Sequence, residues 1–246
     1  MTDKPDPNFL SPRQSVLEPA TADLRAKGWC RLRGLNHSDD ALLAFVSAIG
    51  SADLGADEHL TGPPIMELKL DAQRAKHAVT SAYFTPDQFN LHTDLAYVDR
   101  PPRYILTHCV QPDPDGGGVT LLSDVKQAIT LLSDKDREAL SDTVFSFRYP
   151  PGCEEGESAS FAVIDHPSDS GTPRLRFRLD RTNCPTSHQK PLENLADVLA
   201  KCSFQLKLFA GDLLILDNTR MAHGRTALST SGGTHRHLRR AYAAEM

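Results

Sequence analysis

From Ile65 onward the apolar and polar positions alternate mostly with the period of a strand, and helical spacing is confined to short stretches. Residues 65–70 alternate. Residues 103–110 are rich in β-formers and lie between two breakers, Pro101-Pro102 before and Pro112-Asp113-Pro114-Asp115-Gly116-Gly117-Gly118 after. Residues 145–149 and 174–179 read as further strands, the second strictly alternating, and 211–218 as a buried strand entering a turn. Residues 221–228 and 235–243 read as a C-terminal hairpin joined across 229–234, which contains Gly232-Gly233. Upstream, 29–33 alternates between Gly28 and Gly34 as a first strand would.

Helical spacing appears at 20–27, 41–49, 125–132, 134–140 and 192–201. Residues 36–40 offer polar caps to the second of these, and Ser123 and Ser133 to the third and fourth. Residues 1–13 carry three prolines and read as a frayed leader, with 14–246 as one domain. Within it, 150–173 holds prolines, glycines, serines and three glutamates without periodicity, and is expected to form a long loop acting as a lid. The sum is an α+β chain with about eight strands and few helices. It has neither β-α-β alternation nor a G-x-G-x-x-G fingerprint, which disfavours nucleotide-binding α/β folds. A closed antiparallel sandwich or jelly roll with flanking helices fits best.

Composition narrows the partners. The chain has 246 residues, of which 39% are hydrophobic, enough for a core. Lys+Arg 27 against Asp+Glu 32 leaves a net charge of -5, so there is no global basic field to hold nucleic acid or an anionic membrane. The longest nearly uncharged apolar stretch, 41–50, falls far short of the roughly 18 residues of a membrane span. The first residues show no basic segment followed by an apolar one, and the expected address is cytoplasmic. Cys30, Cys109, Cys153, Cys184 and Cys202 lie far apart with no C-x-x-C pair, against both a disulfide framework and a thiolate zinc site. The expected partner is a small-molecule substrate, with self-association left open.

The histidines carry the chemistry. In His92-Thr93-Asp94 an imidazole and a carboxylate project to one side of an extended chain. A third ligand is available from His223, in Asp217-Asn218-Thr219-Arg220-Met221-Ala222-His223-Gly224-Arg225. Two histidines and one carboxylate on one face of a metal form the triad of non-heme Fe(II) oxygenases and leave positions open for co-substrate and dioxygen. H-x-D alone is weak, because such a pair also serves as a plain structural hydrogen bond. Arg236 adds to it. If the hairpin turns at 231–233, Arg236 pairs near Thr226, roughly 10 Å along the strand from His223, a gap that a five-carbon diacid chelating iron spans. Its distal carboxylate wants a planar bidentate donor, which arginine provides. Alternation groups Arg236, Leu238, Arg240 and Tyr242 on one face and His235, His237 and Arg239 on the other. For Arg239 the expectation is a solvated basic edge strand.

These residues resemble the iron(II)/2-oxoglutarate-dependent dioxygenases of the taurine dioxygenase and γ-butyrobetaine hydroxylase group, which includes clavaminate synthase-like enzymes. The matching pieces are His92-Thr93-Asp94 with Arg100-Pro101-Pro102, Gly116-Gly117-Gly118-Val119-Thr120 with Asp124, Asp217-Asn218 through His223-Gly224-Arg225, and Arg236-His237-Leu238. The resemblance covers roughly residues 25 to 246. It implies a double-stranded β-helix, Fe(II) held by His92, Asp94 and His223, and 2-oxoglutarate chelating through its keto-acid end with O2 as oxidant. It also implies Arg236 and Thr120 on the distal carboxylate, and Arg240 near an anionic group of the substrate. Leu91 stands where the family often has tryptophan, and retention of Asp94 disfavours halogenation.

The substrate is less legible. Tyr83, Phe84, Asn90, Tyr97, the lid from Cys153 to Ser170, and Arg174, Arg176 or Arg178 are candidate walls. Several arginines suggest a small polar substrate with a carboxylate, such as an amino acid or betaine-like compound. Hydroxylation, desaturation and ring formation all remain open. Two rival readings stand beside this one. A redox-inert metalloenzyme on a similar barrel needs the triad but neither Arg236 nor Thr120, and a metal-free small-molecule binding protein needs only the hydrogen bond between His92 and Asp94.

Overall fold

A computed structural model describes residues 12, 14–52, 64–71, 73, 75, 83–149, 158–166, 173–229 and 235–244. Helix α1 (Gln14–Lys27) ends at Gly28, whose φ of 78° is open to glycine and whose N–H bonds back to Leu24 O at 2.9 Å. Strand β1 (Trp29–Leu32) leads to α2 (Asp39–Ile49), where the Ser38 side chain accepts from Ala41 N. Then come β2 (Ser51–Ala52), β3 (Met66–Lys69), β4 (Phe89–His92), β5 (Tyr104–Gln111) and β6 (Thr120–Asp124). Asp124 accepts from Gln127 N to cap α3 (Val125–Thr130), and Ser133 likewise caps α4 (Asp134–Leu140). The first of these caps is therefore Asp124, not Ser123, whose hydroxyl donates to Leu199 O at 2.8 Å.

Short strands follow: β7 (Phe145–Arg148), β8 (Ser158–Phe161), β9 (Ile164–Asp165), β10 (Arg174–Leu175) and β11 (Thr182–Asn183). Helix α5 (Thr186–Lys201) begins ahead of the expected 192–201 and carries Pro191 within it. The remaining strands are β12 (Ser203–Leu206), β13 (Leu213–Asp217), β14 (Met221–Arg225) and β15 (His237–Ala244).

Among the described residues all pairings are antiparallel. A six-stranded sheet runs β1-β13-β5-β15-β2, with β3 also on β15, and a four-stranded sheet runs β12-β6-β14-β4. Smaller sheets join β11-β7-β8 and β10-β9. The two larger sheets share one apolar interior, in which Leu68, Ile105, Leu214 and Leu238 meet Leu122, Leu206 and Met221. Helices α1 and α2 cover the outer face of the six-stranded sheet, with Leu24, Leu42 and Phe45 against Leu106, Leu213 and Ile215. A third cluster packs α3, α4 and α5 with the three-stranded sheet through Ile129, Leu140, Phe145, Phe147, Leu195 and Leu199. Full burial of each such side chain is worth about 1.5–3 kcal/mol.

Five expectations need correction. Residues 221–228 and 235–243 do not form a hairpin: β14 pairs with β6 and β4, whereas β15 pairs with β5, β3 and β2 in the opposite sheet. Alternation sets which side chains share a face but not which strand is the partner. Strand β15 is interior to its sheet, so Arg239 is not on a solvated edge; it is buried and paired with Asp39 and Glu67. The strand expected at 174–179 stops at Leu175, because Arg176 and Phe177 turn to hold the segment after His92. Of the lid expected at 150–173, residues 150–157 and 167–172 lie outside the described residues, and 158–165 contain β8 and β9. With these short pieces the described residues hold fifteen strands, where about eight were expected. Most of the leader, 1–11 and 13, lies outside the described residues, and no described helix is long and apolar enough to cross a membrane.

Candidate metal centre and its cavity

Strands β4 and β14 bring the two histidines together. Their register sets His223 opposite His92, with ring centroids 4.5 Å apart. Gly224 allows this approach, since a Cβ there would lie 2.5 Å from Phe89 O. Just after β4 the chain turns inward at Asp94, followed by Leu95 at a φ of 55°. Thr93 N–H donates to Phe177 O at 2.8 Å and its Oγ1 accepts from Phe177 N at 2.9 Å, which anchors the turn. Arg176 reinforces it by donating to Ala96 O at 2.8 Å and to the carbonyls of Val98 and Asp99.

His92, Asp94 and His223 are all buried, and each offers a ligand atom within 4.8 Å of the others'. Asp94 Oδ1 lies 3.2 Å from His92 Nε2 and 3.4 Å from His223 Nε2. His92 Nδ1 sits 2.8 Å from Asn90 O, so the tautomer this bond favours donates there and keeps the Nε2 lone pair for a metal. His223 Nδ1 has no hydrogen-bond partner among the described residues. A buried carboxylate facing two imidazole nitrogens, one of them on an otherwise bare ring, fits a divalent ion of the iron(II) type.

The electrostatics agree. Burial, then the neighbouring His223, pushes His92 down to about 4, and burial lowers His223 as well. Both rings are therefore neutral, as metal ligands must be. Burial works against the charge of Asp94, but the Arg240 guanidinium beside it holds its carboxyl well below the usual range.

His92 and His223 open into a cavity between the two larger sheets. Leu68, Leu214, Leu216 and Leu238 form an apolar floor from the six-stranded sheet, and Arg236 and Thr120 line the cavity as well. Burial and the adjacent Arg225 push Arg236 down to about 9, so it remains a cation at neutral pH. Arg236 reaches the cavity beside Gly118, where a Cβ would lie 2.7 Å from its Cδ. Arg225 spends its guanidinium on main-chain carbonyls of Thr85 and Asp87, at 2.6 and 2.5 Å, and so fixes the segment that leads into β4.

The remaining predicted residues divide. Tyr83 and Arg240 line the cavity, and both bond to Asp94, at 2.5 and 2.6 Å. Arg178 stands outside the lining, paired with Asp180 at 2.8 Å and stacked over Phe89, whose ring in turn lies 4.0 Å from that of His92. Tyr97 is buried against Tyr149, the Asn90 side chain is exposed, and Arg176 is committed to carbonyls, so none of these three lines the cavity. Sequence reasoning missed the roles of Tyr242, Asn218 and Arg225. Tyr242 carried a signal, since alternation already put it on the face of Arg236 and Arg240; its hydroxyl donates to Asp94 Oδ2 at 3.0 Å. Asn218 brackets the main chain of Asp94, 124 residues away, which no local pattern encodes.

Residues 3–242 match the model of the taurine catabolism dioxygenase TauD, TfdA family. The chain belongs to the TauD/TfdA family. Clavaminate synthase 2 of Streptomyces clavuligerus is 30% identical over 164 residues, 61% of this chain and 48% of that protein. L-asparagine oxygenase of Streptomyces coelicolor is 28% identical over 155 residues, 61% of this chain and 46% of that protein. The chain thus spans about half the length of these TauD/TfdA relatives. A crystal structure of asparagine oxygenase superposes with a TM-score of 0.78 at 21% identity, covering 94% of this chain and 78% of that one, a likeness of fold.

Proposed function

We propose that this protein is an Fe(II)/2-oxoglutarate-dependent oxygenase that oxidises a C–H bond of a small polar, carboxylate-bearing substrate and releases succinate and CO2. One observation carries the reading: the buried His92, Asp94 and His223 cluster opens into the same cavity as Arg236 and Thr120. A metalloenzyme without 2-oxoglutarate needs no cation and hydroxyl facing its metal across an apolar floor. Family membership supports the chemistry, and the likeness to asparagine oxygenase supports a jelly-roll, double-stranded β-helix architecture for a single catalytic domain.

Iron(II) bound at the triad supplies the activation of dioxygen that couples decarboxylation of 2-oxoglutarate to substrate oxidation. The chain supplies the rest. His92 and His223 present neutral nitrogens and Asp94 a charged oxygen. Arg236 offers the distal carboxylate of 2-oxoglutarate a planar pair of donors, and Thr120 adds a hydroxyl. The leucine floor and Phe89 exclude water, which strengthens each of these contacts. Arg240 is the cavity cation proposed to face the substrate, with the Tyr83 ring as a wall beside it, and the names of the asparagine oxygenase relatives point to an amino-acid-like compound.

The reading is tested by anaerobic optical titration of metal-free protein with Fe(II) and 2-oxoglutarate. A weak visible charge-transfer band that needs both additions, and is absent in Asp94→Ala, is the expected result. No band in folded wild type sinks the proposal and favours the redox-inert or binding-protein readings.

A further inference from the structure

The Asp94 carboxylate is held by more than its metal-ligand neighbours. Tyr83 donates to Oδ1 at 2.5 Å, while Arg240 and Tyr242 donate to Oδ2 at 2.6 and 3.0 Å. These donors come from two directions, Tyr83 from the segment ahead of β4 and Arg240 and Tyr242 from β15 in the opposite sheet. Asp94 is completely buried, so no solvent competes for its oxygens.

Each carboxylate oxygen offers about two lone-pair directions. On Oδ2 both are taken, by a guanidinium and a phenol. On Oδ1 one is taken by Tyr83, and the oxygen faces the Nε2 atoms of His92 and His223 at 3.2 and 3.4 Å. Resting on the metal reading above, we infer that Tyr83 and Tyr242 are positioning residues that fix the rotation of the Asp94 carboxylate, so that it meets a divalent ion through Oδ1 alone. The two phenols suit this task because they orient the carboxylate without adding positive charge beside the ion. Arg240, the third donor, adds a cation that the ion repels. Neither phenol is a ligand itself in this arrangement; each acts through Asp94.

The rings are placed for the purpose. Tyr83 packs edge-on against Phe89 with centroids 5.2 Å apart, and Phe89 stacks on His92. The guanidinium of Arg240 lies over the Tyr83 ring at 5.2 Å. Tyr83 is thereby braced from two sides, and replacing it by phenylalanine removes the hydroxyl while keeping these contacts.

The test uses the full chain freed of metal, with Mn(II) as the probe, measured by electron paramagnetic resonance for wild type, Tyr83→Phe and Tyr242→Phe. Tyr104→Phe, which loses a hydroxyl on the helix-covered side of the sheet, is the control. Each of the two variants is expected to bind Mn(II) roughly ten- to a hundred-fold more weakly, the usual effect of losing a partner that orients a metal ligand. The control should match wild type in Mn(II) affinity, and both variants should remain folded without metal, with a melting temperature lowered by the loss of one buried hydrogen bond to Asp94. The maximum of the anaerobic Fe(II)–2-oxoglutarate band should also move in both variants, a shift that a merely structural role does not produce. Wild-type Mn(II) affinity and an unmoved band in both variants overturn the inference alone. Failure of wild type to bind Mn(II) removes the metal reading, and the inference falls with it.

Discussion

Asn218 grips the main chain of Asp94 on both sides, accepting from its N–H at 2.9 Å and donating to its carbonyl at 3.0 Å. The same amide also donates to Pro102 O at 3.1 Å, so one buried side chain ties the Asp94 turn to the loop entering β5. Replacement by alanine strands buried main-chain groups, each costing about 1–3 kcal/mol. Asn218→Ala is expected to unfold at lower denaturant concentration and to bind Mn(II) more weakly. Asn218→Asp should recover only part, because the carboxylate accepts from Asp94 N but cannot donate to the two carbonyls. Urea titration of all three proteins checks the order.

Arg236 is proposed to recognise the distal end of 2-oxoglutarate. A charge-assisted hydrogen bond is worth about 1.5–3 kcal/mol, so Arg236→Ala should raise the 2-oxoglutarate concentration needed for half of the charge-transfer band roughly ten- to a hundred-fold. Arg236→Lys keeps the charge but not the planar fork and should fall between. Mn(II) affinity should stay near wild type in both, because Arg236 makes no contact with the triad. Equal loss of metal and 2-oxoglutarate binding would point instead to a collapsed cavity.

How much of this was legible without the fold depends on whether the cause is local. His92-Thr93-Asp94 and the face shared by Arg236, Leu238, Arg240 and Tyr242 follow from strand period, and both sets meet around one cavity. The route to Arg236 was nevertheless misjudged. A hairpin was expected to bring it near His223, yet β14 and β15 lie in opposite sheets and approach across the interior. The same residues converge by a different path, because alternation constrains faces and says nothing of partners. Arg176 misled for a related reason. Its alternating neighbours resemble a strand, but three free carbonyls in the turn after Asp94 are a stronger demand on its guanidinium than a ladder position. Asn218 and Arg225 act on segments more than a hundred residues away, so their roles emerged only from contacts.

His108 is fully buried on the helix-covered side of β5, stacked on His37 with centroids 4.9 Å apart. Burial, then His37, lowers its pKa from the ordinary 6.5. The unfolded chain therefore takes up a proton at His108 before the folded protein does. Stability is fully present above pH 6.5 and is lost as the pH falls below it. Metal-free protein should show a lower midpoint of urea denaturation at pH 5.5 than at pH 7.5. His108→Leu should reduce that dependence, leaving the part that His92 and His223 contribute, and an unchanged slope in the variant would assign the effect to those two groups.

Gly118 and Gly34 form a matched pair. Both have positive φ, 60° and 72°, so alanine at either position pays a backbone cost of about 1–2 kcal/mol. At Gly34 a Cβ meets nothing within 4 Å, whereas at Gly118 it lies 2.7 Å from Arg236 Cδ and crowds Leu228 as well. Gly34→Ala should lower stability and leave 2-oxoglutarate binding intact. Gly118→Ala should lower stability and, by displacing Arg236, also raise the 2-oxoglutarate concentration needed for the charge-transfer band, with Mn(II) affinity unchanged. Measuring melting temperature and both affinities for the two variants separates backbone strain from displacement of the arginine. If Gly118→Ala binds 2-oxoglutarate as wild type does, then Arg236 has room to move aside without loss, and its approach past Gly118 is not what sets the co-substrate site.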